Sequence, residues 1–418
     1  MSTREERNMM QMQKTFVLPR VMRFAGTQNW PAPVPTFAQV NEFIPQTCRL
    51  PYDYLFRDNG RAMAECTLLV WEYTGLDMIG ANHDFYNFEA ESIGAKINFY
   101  KSHIPDVNRN DFLIKSSKDL DKIKFLGLDS GRYRYLIEYC HAYTSYVGLD
   151  TFPSFCAPWS LACNLYGLEN LLIETQVDPA FVHELLQRIV YDLQGPMLKA
   201  MAAEILGFNA ISVADAWTSP PMVSLDILHE YTVPYTLKLP EAMGQDVPVN
   251  NSGIWGSSCF DDTERRDDFM RCVLEMGQYV AAFDPDQDKV GIQYYRDFAD
   301  KMKAPLLLGF STSLLQDADI VTIVERTKRY TLKGKSGNTS LLFFYNHFAP
   351  QTPIDHIRAS IAAVHTYGVP EATVETPFAA PETAESFEEF LRNKIENNVE
   401  GYTFHWLEKS EYSHLMKG

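Results

Sequence analysis

No stretch of this 418-residue chain approaches the roughly 20 consecutive apolar residues that a bilayer-spanning helix needs. Integral membrane classes are therefore excluded. The opening MSTREERNMMQMQ has neither a continuous apolar core nor a small-residue cleavage site, so a secretory leader is not indicated and a cytoplasmic location is expected. The seven cysteines (Cys48, Cys66, Cys140, Cys156, Cys163, Cys259, Cys272) are odd in number, widely spaced and lack a CxxC pair. Neither a disulfide framework nor a zinc ribbon follows, and they read as reduced, mostly buried thiols. Phosphate-cradling GxGxxG and GxxxxGK[ST] loops are missing. Basic charge is scarce: 37 Lys+Arg against 54 Asp+Glu give a net charge of -17, which repels nucleic acid and anionic lipid. The acidic excess is diffuse, strongest in PETAESFEEFLRNKIENN, and reads as solvated surface.

What is present is the composition of a globular enzyme, with 46% hydrophobic and 13% aromatic residues. Residues 1–60 are interrupted by Pro31, Pro33, Pro35, Pro45 and Pro51 and are expected to form an irregular segment packed on a domain spanning 61–418. A helix is predicted through RAMAECTLLVWEYTG, ended by Gly75. Then a switch from apolar to polar residues recurs: LDMIGANHDF, YVGLDTFPSFCAPWS, FNAISVADAWT, VPVNNSG, QYVAAFDPD, APLLLGFSTS and TSLLFFYNHF. Short apolar runs of this kind suit strands buried on both faces of a parallel sheet. Helices are predicted between them. In DPAFVHELLQRIVYDLQGPMLKAMAAEILG, Asp178 and Pro179 suit the start and Gly207 the end. In TPIDHIRASIAAVHTYG, Thr352 suits the N-cap, Pro353 the first helical position and Gly368 the stop. FCAPWSLACNLYGLEN reads as a strand, a loop and then the next helix. This alternation allows a closed (β/α)8 barrel or an open doubly wound sheet. Polar residues after each strand favour the barrel, whose chemistry sits at the strand C-termini.

Four stretches, DFYNFEAESIGAKINF, APWSLACNLYGLENLLIETQVDPAFVHELL, ISVADAWTSPPMVSLDILHEYTVPYTLKL and HFAPQTPIDHIRASIAAVHTYG, resemble in order and spacing the uroporphyrinogen decarboxylase superfamily, which includes corrinoid-dependent methyltransferases. The resemblance implies a single TIM-like barrel with its site in a funnel at the C-terminal mouth. In the decarboxylase branch an MRQAGR-like motif holds substrate carboxylates; here MRFAGTQ keeps Arg23 and replaces the second Arg with Thr27. The thiol-methylating branch binds zinc through an HxCG motif and a later Cys, and here Asn250, Ser252 and Asn346 stand at those places. Amides and hydroxyls are poor zinc ligands. The branch that remains resembles the methyltransferase of O-demethylase systems, which moves the methyl of an aryl methyl ether onto the Co(I) corrinoid (cobalamin) of a separate corrinoid protein. Homodimeric assembly is a further expectation.

That branch suits an aromatic set at the expected mouth: Phe85, Tyr86, Trp159, Tyr166, Trp217, Trp255, Phe310, Phe344, Tyr345 and Phe348. Cleaving a methoxyarene leaves a phenolate that needs a proton or a Lewis acid. Asp84, Asp215 and His347 are the expected catalytic residues, with His83, Trp159, Trp217, Asn250, Asn251, Asp284 and Tyr345 expected to bind the substrate. Each acid also has a structural reading: a loop cap for Asp215, a backbone-bonded imidazole for His347. Asp215, Asp284 and His347 form an alternative set of oxygen and nitrogen ligands should zinc be bound. Asp286 and Asp288 read as a solvated turn, Cys156 and Cys163 as packing. The alternatives are a tetrapyrrole decarboxylase and a non-catalytic barrel binding a corrinoid or tetrapyrrole.

Overall fold

The computed structural model describes residues 34–77, 83–147, 153–205, 210–251, 262–277, 279–397 and 402–417. Arg23, Thr27, Gly207, Ser252, Trp255 and Cys259 lie outside them. Within them the short apolar runs form parallel strands, labelled β1 (Thr36–Ala38), β4 (Ser154–Cys156), β5 (Ile211–Ala214), β6 (Val249–Asn251), β7 (Val280–Phe283), β8 (Leu306–Phe310) and β9 (Leu341–Tyr345). A small antiparallel hairpin, β2 (Ile97–Asn98) with β3 (Asp106–Val107), sits in the loop region before β4.

The parallel strands make two arcs, in the orders β1-β9-β8-β7 and β4-β5-β6. The first strand lies beside the last, with Phe37 opposite Phe344. Such pairing closes a sheet on itself, and the chain folds as a (β/α)8 barrel. The segment expected to be irregular thus supplies the first barrel strand. Between the arcs, Asp77 N donates to Thr36 O at the start of β1, and His83 reaches Ser154 O on β4. On the other side, the Tyr279 hydroxyl donates to Asn251 O at the end of β6.

The helices follow their end signals closely. The helix Gly60–Thr74 starts where the Asn59 side chain accepts from Ala62 N at 2.8 Å and stops at left-handed Gly75. The predicted long helix from residue 178 starts as expected, with Asp178 capping Phe181 N, but is broken into Pro179–Arg188, a π segment Ile189–Gln194 and Gly195–Glu204. Pro196 lacks the N–H a continuous α ladder would use there, and a Cβ on Gly195 would press on Ala242 O. FCAPWSLACNLYGLEN has no intervening loop: one residue separates β4 from the helix Pro158–Tyr166. No helix among the described residues is long and apolar enough to cross a membrane.

Candidate functional site

Which side chains face the barrel interior follows from the period of two along each strand. Tyr345 donates to Ser360 Oγ of the helix Ile354–Gly368, and Phe310 packs edge-on against Tyr330 of the helix Ile320–Gly334. Those residues point outward, so Phe344 and Gly309 point inward. Phe37 and Phe344 lie with ring centroids 4.6 Å apart, and Phe344 meets Phe283 at 6.3 Å. A Cβ on Gly309 would fall on Phe283 Cδ1 and Asn346 Oδ1, which places Asn346 with them. This arc of the interior is aromatic and apolar.

The opposite arc is polar and small. Ser154 and Ser212 bond through their hydroxyls at 2.8 Å, and Ser212 stands beside Asn250 in register. Asn251, the next residue, approaches Met276 of the helix Thr263–Gly277, so it faces outward and Asn250 inward. The amide oxygens of Asn250 and Asn346 are both buried and without a hydrogen-bond partner among the described residues. An orphaned buried acceptor is costly, so each of the two favours a donor, whether water or a group on a bound molecule. These are two of the positions where the resembling branch would carry zinc ligands.

The expected site residues divide on the same rule. Asn250 faces the interior. His347, just past β9, is half-buried and contacts Glu42 Oε2 at 2.9 Å through Nε2; this bond holds the Glu42 carboxyl below its usual range. Trp217 is half-buried beneath the Arg109 guanidinium, 4.8 Å from its ring, and Arg109 is itself forked onto Asp106. The others are turned away from the interior or sealed. Trp159 is fully buried, donating to Trp217 O at 3.2 Å, and Tyr345 is fully buried against its helix; neither ring can sandwich a ligand without leaving the core. Phe310 and Phe348 are buried likewise.

Asp215 is fully buried and accepts from Ser160 Oγ at 2.6 Å and from Asn251 Nδ2 at 3.5 Å; burial pushes its carboxyl up to about 6. Asp284 accepts from Ser311 N at 3.0 Å and from the Tyr330 hydroxyl, on the helix side of β7, and burial raises it too. Asp84 is salt-bridged to Arg132 at 2.7 Å and accepts from Asn87. His83 donates Nε2–H to Ser154 O at 2.8 Å, since a carbonyl only accepts; burial holds the ring down to about 4, so it is neutral at pH 7. Asp215, Asp284 and His347, each engaged elsewhere, do not converge on a common point that could hold zinc. Asp288 behaves as a surface acid, pairing with Arg326 and Arg329, but Asp286 is buried at the start of the short helix Asp286–Val290 rather than solvated.

One buried acid beside the end of β4 carries little signal in the sequence. Glu89, in the helix Phe88–Ser92, is fully buried with Oε1 accepting from Cys156 N at 3.0 Å and Gln194 Nε2 at 3.3 Å. Burial pushes its carboxyl up to about 8, and Oε2 has no partner among the described residues. The only signal was an acid within FEAES on the apolar side of a short helix.

Gly309 keeps the interior open, and this is testable. Gly309→Ala forces Phe283 and Asn346 aside, and we expect a loss of about 1–3 kcal/mol by chemical denaturation, the usual range for overpacking.

No curated protein sequence matches the chain. A solved structure, a methyltransferase from Methanosarcina mazei, aligns with a TM-score of 0.62 at 17% identity, covering 82% of this chain and 96% of that one. At that identity the likeness speaks for the fold. The model of the uroporphyrinogen decarboxylase (URO-D) family matches residues 24–367, which takes in every parallel strand just described, and the chain belongs to that family.

Proposed function

We propose that this chain is a corrinoid-dependent methyltransferase that binds an aryl methyl ether inside the barrel and presents its methyl group to the corrinoid of a partner protein. The observation that carries the reading is the two-sided interior, with Phe37, Phe283 and Phe344 facing Asn250, Ser154 and Ser212. An aryl ring matches the aromatic arc, and its hydroxyl or ring substituents match the orphaned amide oxygens. No Lys or Arg occupies an inward position on the described strands, so a substrate with several carboxylates finds no cation there. With Thr27 in place of the second Arg of the decarboxylase motif, this favours a neutral ring over a porphyrinogen.

The partner's corrinoid would supply a Co(I) nucleophile for the methyl group. The chain's own residues then have two tasks. Phe37, Phe283 and Phe344 fix the ring plane and exclude water, while Asn250 and Asn346 fix its rotation. His347, half-buried beside Asn346 and held by the Glu42 carboxylate, gives a proton to the departing phenolate oxygen. Asp84 and Asp215 act in this reading by fixing loops: Asp84 ties the 84–87 turn to Arg132, and Asp215 ties the end of β5 to Ser160.

The test is to mix the purified chain with reduced cobalamin or a reduced corrinoid protein and a panel of methoxylated phenols, following Co(I) absorbance and phenol release together. Both should change in a 1:1 ratio. His347→Gln should lower kcat by about 100-fold and Asn346→Ala should lower kcat/KM by about tenfold, with little change in melting temperature. Carbon dioxide release from uroporphyrinogen with no phenol from any methoxyarene would instead establish the decarboxylase.

A further inference from the structure

Away from the barrel interior, three unlike metal-ligating side chains converge between two outer helical segments. His229 lies in the π segment Leu228–Thr232 that follows β5, and Asp268 and Cys272 lie one turn apart on the helix Thr263–Gly277 that follows β6. Spacing of four residues puts both on one helix face. His229 Nε2 is 2.8 Å from Asp268 Oδ2, Cys272 Sγ is 3.9 Å from each ring nitrogen of His229, and one ligand atom from each residue falls within 4.8 Å of the others. It is the one such group of three among the described residues.

We propose that His229, Asp268 and Cys272 form a zinc site, with water completing a tetrahedron. Zinc bond lengths of about 2.3 Å to sulfur and 2.0–2.1 Å to nitrogen or oxygen imply tetrahedral edges of about 3.6 Å for S–N and about 3.3 Å for N–O. The sulfur–nitrogen edge is therefore nearly in place at 3.9 Å. The His229–Asp268 hydrogen bond must open by about half an ångström, a side-chain rotation within reach of two partly exposed groups. One thiolate, one imidazole and one carboxylate are a borderline donor set that suits Zn2+ and disfavours Mg2+ or Ca2+, which prefer oxygen throughout. The arrangement also supplies an access route, since His229 and Asp268 meet solvent while Cys272 is buried at 2% exposure.

Bound zinc would staple the helices behind β5 and β6. Met276, one turn beyond Cys272, touches the Asn251 amide, which in turn donates to Asp215 at the strand ends. The helix register fixed by the metal is thus the register that backs the mouth of the barrel.

The experiment uses the full chain, stripped with a chelator under reducing conditions and titrated with Co2+, which reports a thiolate ligand by a near-ultraviolet charge-transfer band and a tetrahedral site by intense visible bands. Both should saturate at about one metal per chain and vanish when Zn2+ is added. Cys272→Ser should abolish the charge-transfer band, and Asp268→Asn, a near-isosteric change at a partly exposed position, should weaken Co2+ binding at least tenfold with an unchanged circular dichroism spectrum. Failure of the folded chain to take up Co2+, or a charge-transfer band that persists in Cys272→Ser, overturns the assignment.

Discussion

Arg132→Met should lower the stability of the fold by about 3–5 kcal/mol, read as a shift in the denaturant midpoint with little change in its slope. The guanidinium is 7% exposed and every edge is engaged: Nη2 to Asp84 at 2.7 Å, Nε to Glu91 at 2.5 Å, and Nη1 to Phe56 O at 2.5 Å. Its faces lie over Phe88 and Phe99, each 4.7 Å from the ring centroid. Methionine keeps the apolar contacts and removes the charge, so the cost covers what Arg132 does for Asp84, Glu91 and the Phe56 carbonyl together. Burial pushes the Asp84 carboxyl up while Arg132 and Asn87 pull it down. Without Arg132 only the hydrogen bond from Asn87 and the backbone oppose burial, and Asp84 must be protonated or remain a charge with no cation beside it. The double variant Arg132→Met, Asp84→Asn should regain much of the loss, because a neutral amide no longer needs a cation. A single-variant cost below about 1 kcal/mol, or no recovery in the double variant, would show that the pair carries no special weight. Phe85 and Tyr86 lie in the turn that Asp84 anchors, so the single variant should also lower turnover under conditions where it is still folded.

The fold was legible because its signals are local. Pro353, Gly368, Asp178 and Gly75 punctuate helices by backbone geometry alone, and the ends they mark are within a residue or so of those observed. Apolar runs such as VAAF and LLFFY became strands for the same reason. The site was harder, because facing inward or outward changes with every residue while the apolar-to-polar switch is the same for both. Asn250 and Asn251, like Phe344 and Tyr345, carry the same signal in the sequence, and Asp284 stands next to inward Phe283; one position turns a lining residue into a helix contact. Asp215 and Asp284 are polar at strand ends because they accept from Ser160 and from Ser311 N, which hold the following loops. That role has the same sequence signature as catalysis. Glu89 was invisible for another reason. Its partners, Cys156 N and Gln194, lie 67 and 105 residues away, and an acid in a short helix looks solvated until tertiary packing covers it.

Glu89→Gln should stabilise the protein increasingly as pH rises from 4.5 to about 8, by up to about 5 kcal/mol relative to wild type. Burial raises the folded carboxyl to about 8 from 4.5. For an acid shifted this way, the native state keeps a proton that the unfolded state releases, so its stabilising contribution is complete below pH 4.5 and is lost as pH climbs to about 8. Gln preserves the volume and, through Oε1, the two bonds from Cys156 N and Gln194, and it has no proton to lose. Other groups titrate in the same range. Asp215, raised to about 6, has the same sign below that pH, and His83, lowered to about 4 from 6.5, has the opposite sign: its contribution is lost as pH falls from 6.5 to about 4. They cancel in the difference between variant and wild type, apart from coupling to Asp84, which raises the Glu89 carboxyl slightly. The measurement is therefore paired denaturation curves at several pH values from 5 to 9. A constant difference across that range would mean that Glu89 is ionised inside the fold, with a partner for Oε2. A growing difference establishes a protonated carboxyl in the barrel wall at the end of β4. The pH profile of turnover then decides its use: if Glu89→Gln leaves kcat and its pH dependence unchanged, the acid is a packing element, and a fall in kcat with an altered profile would make it part of the proton chemistry.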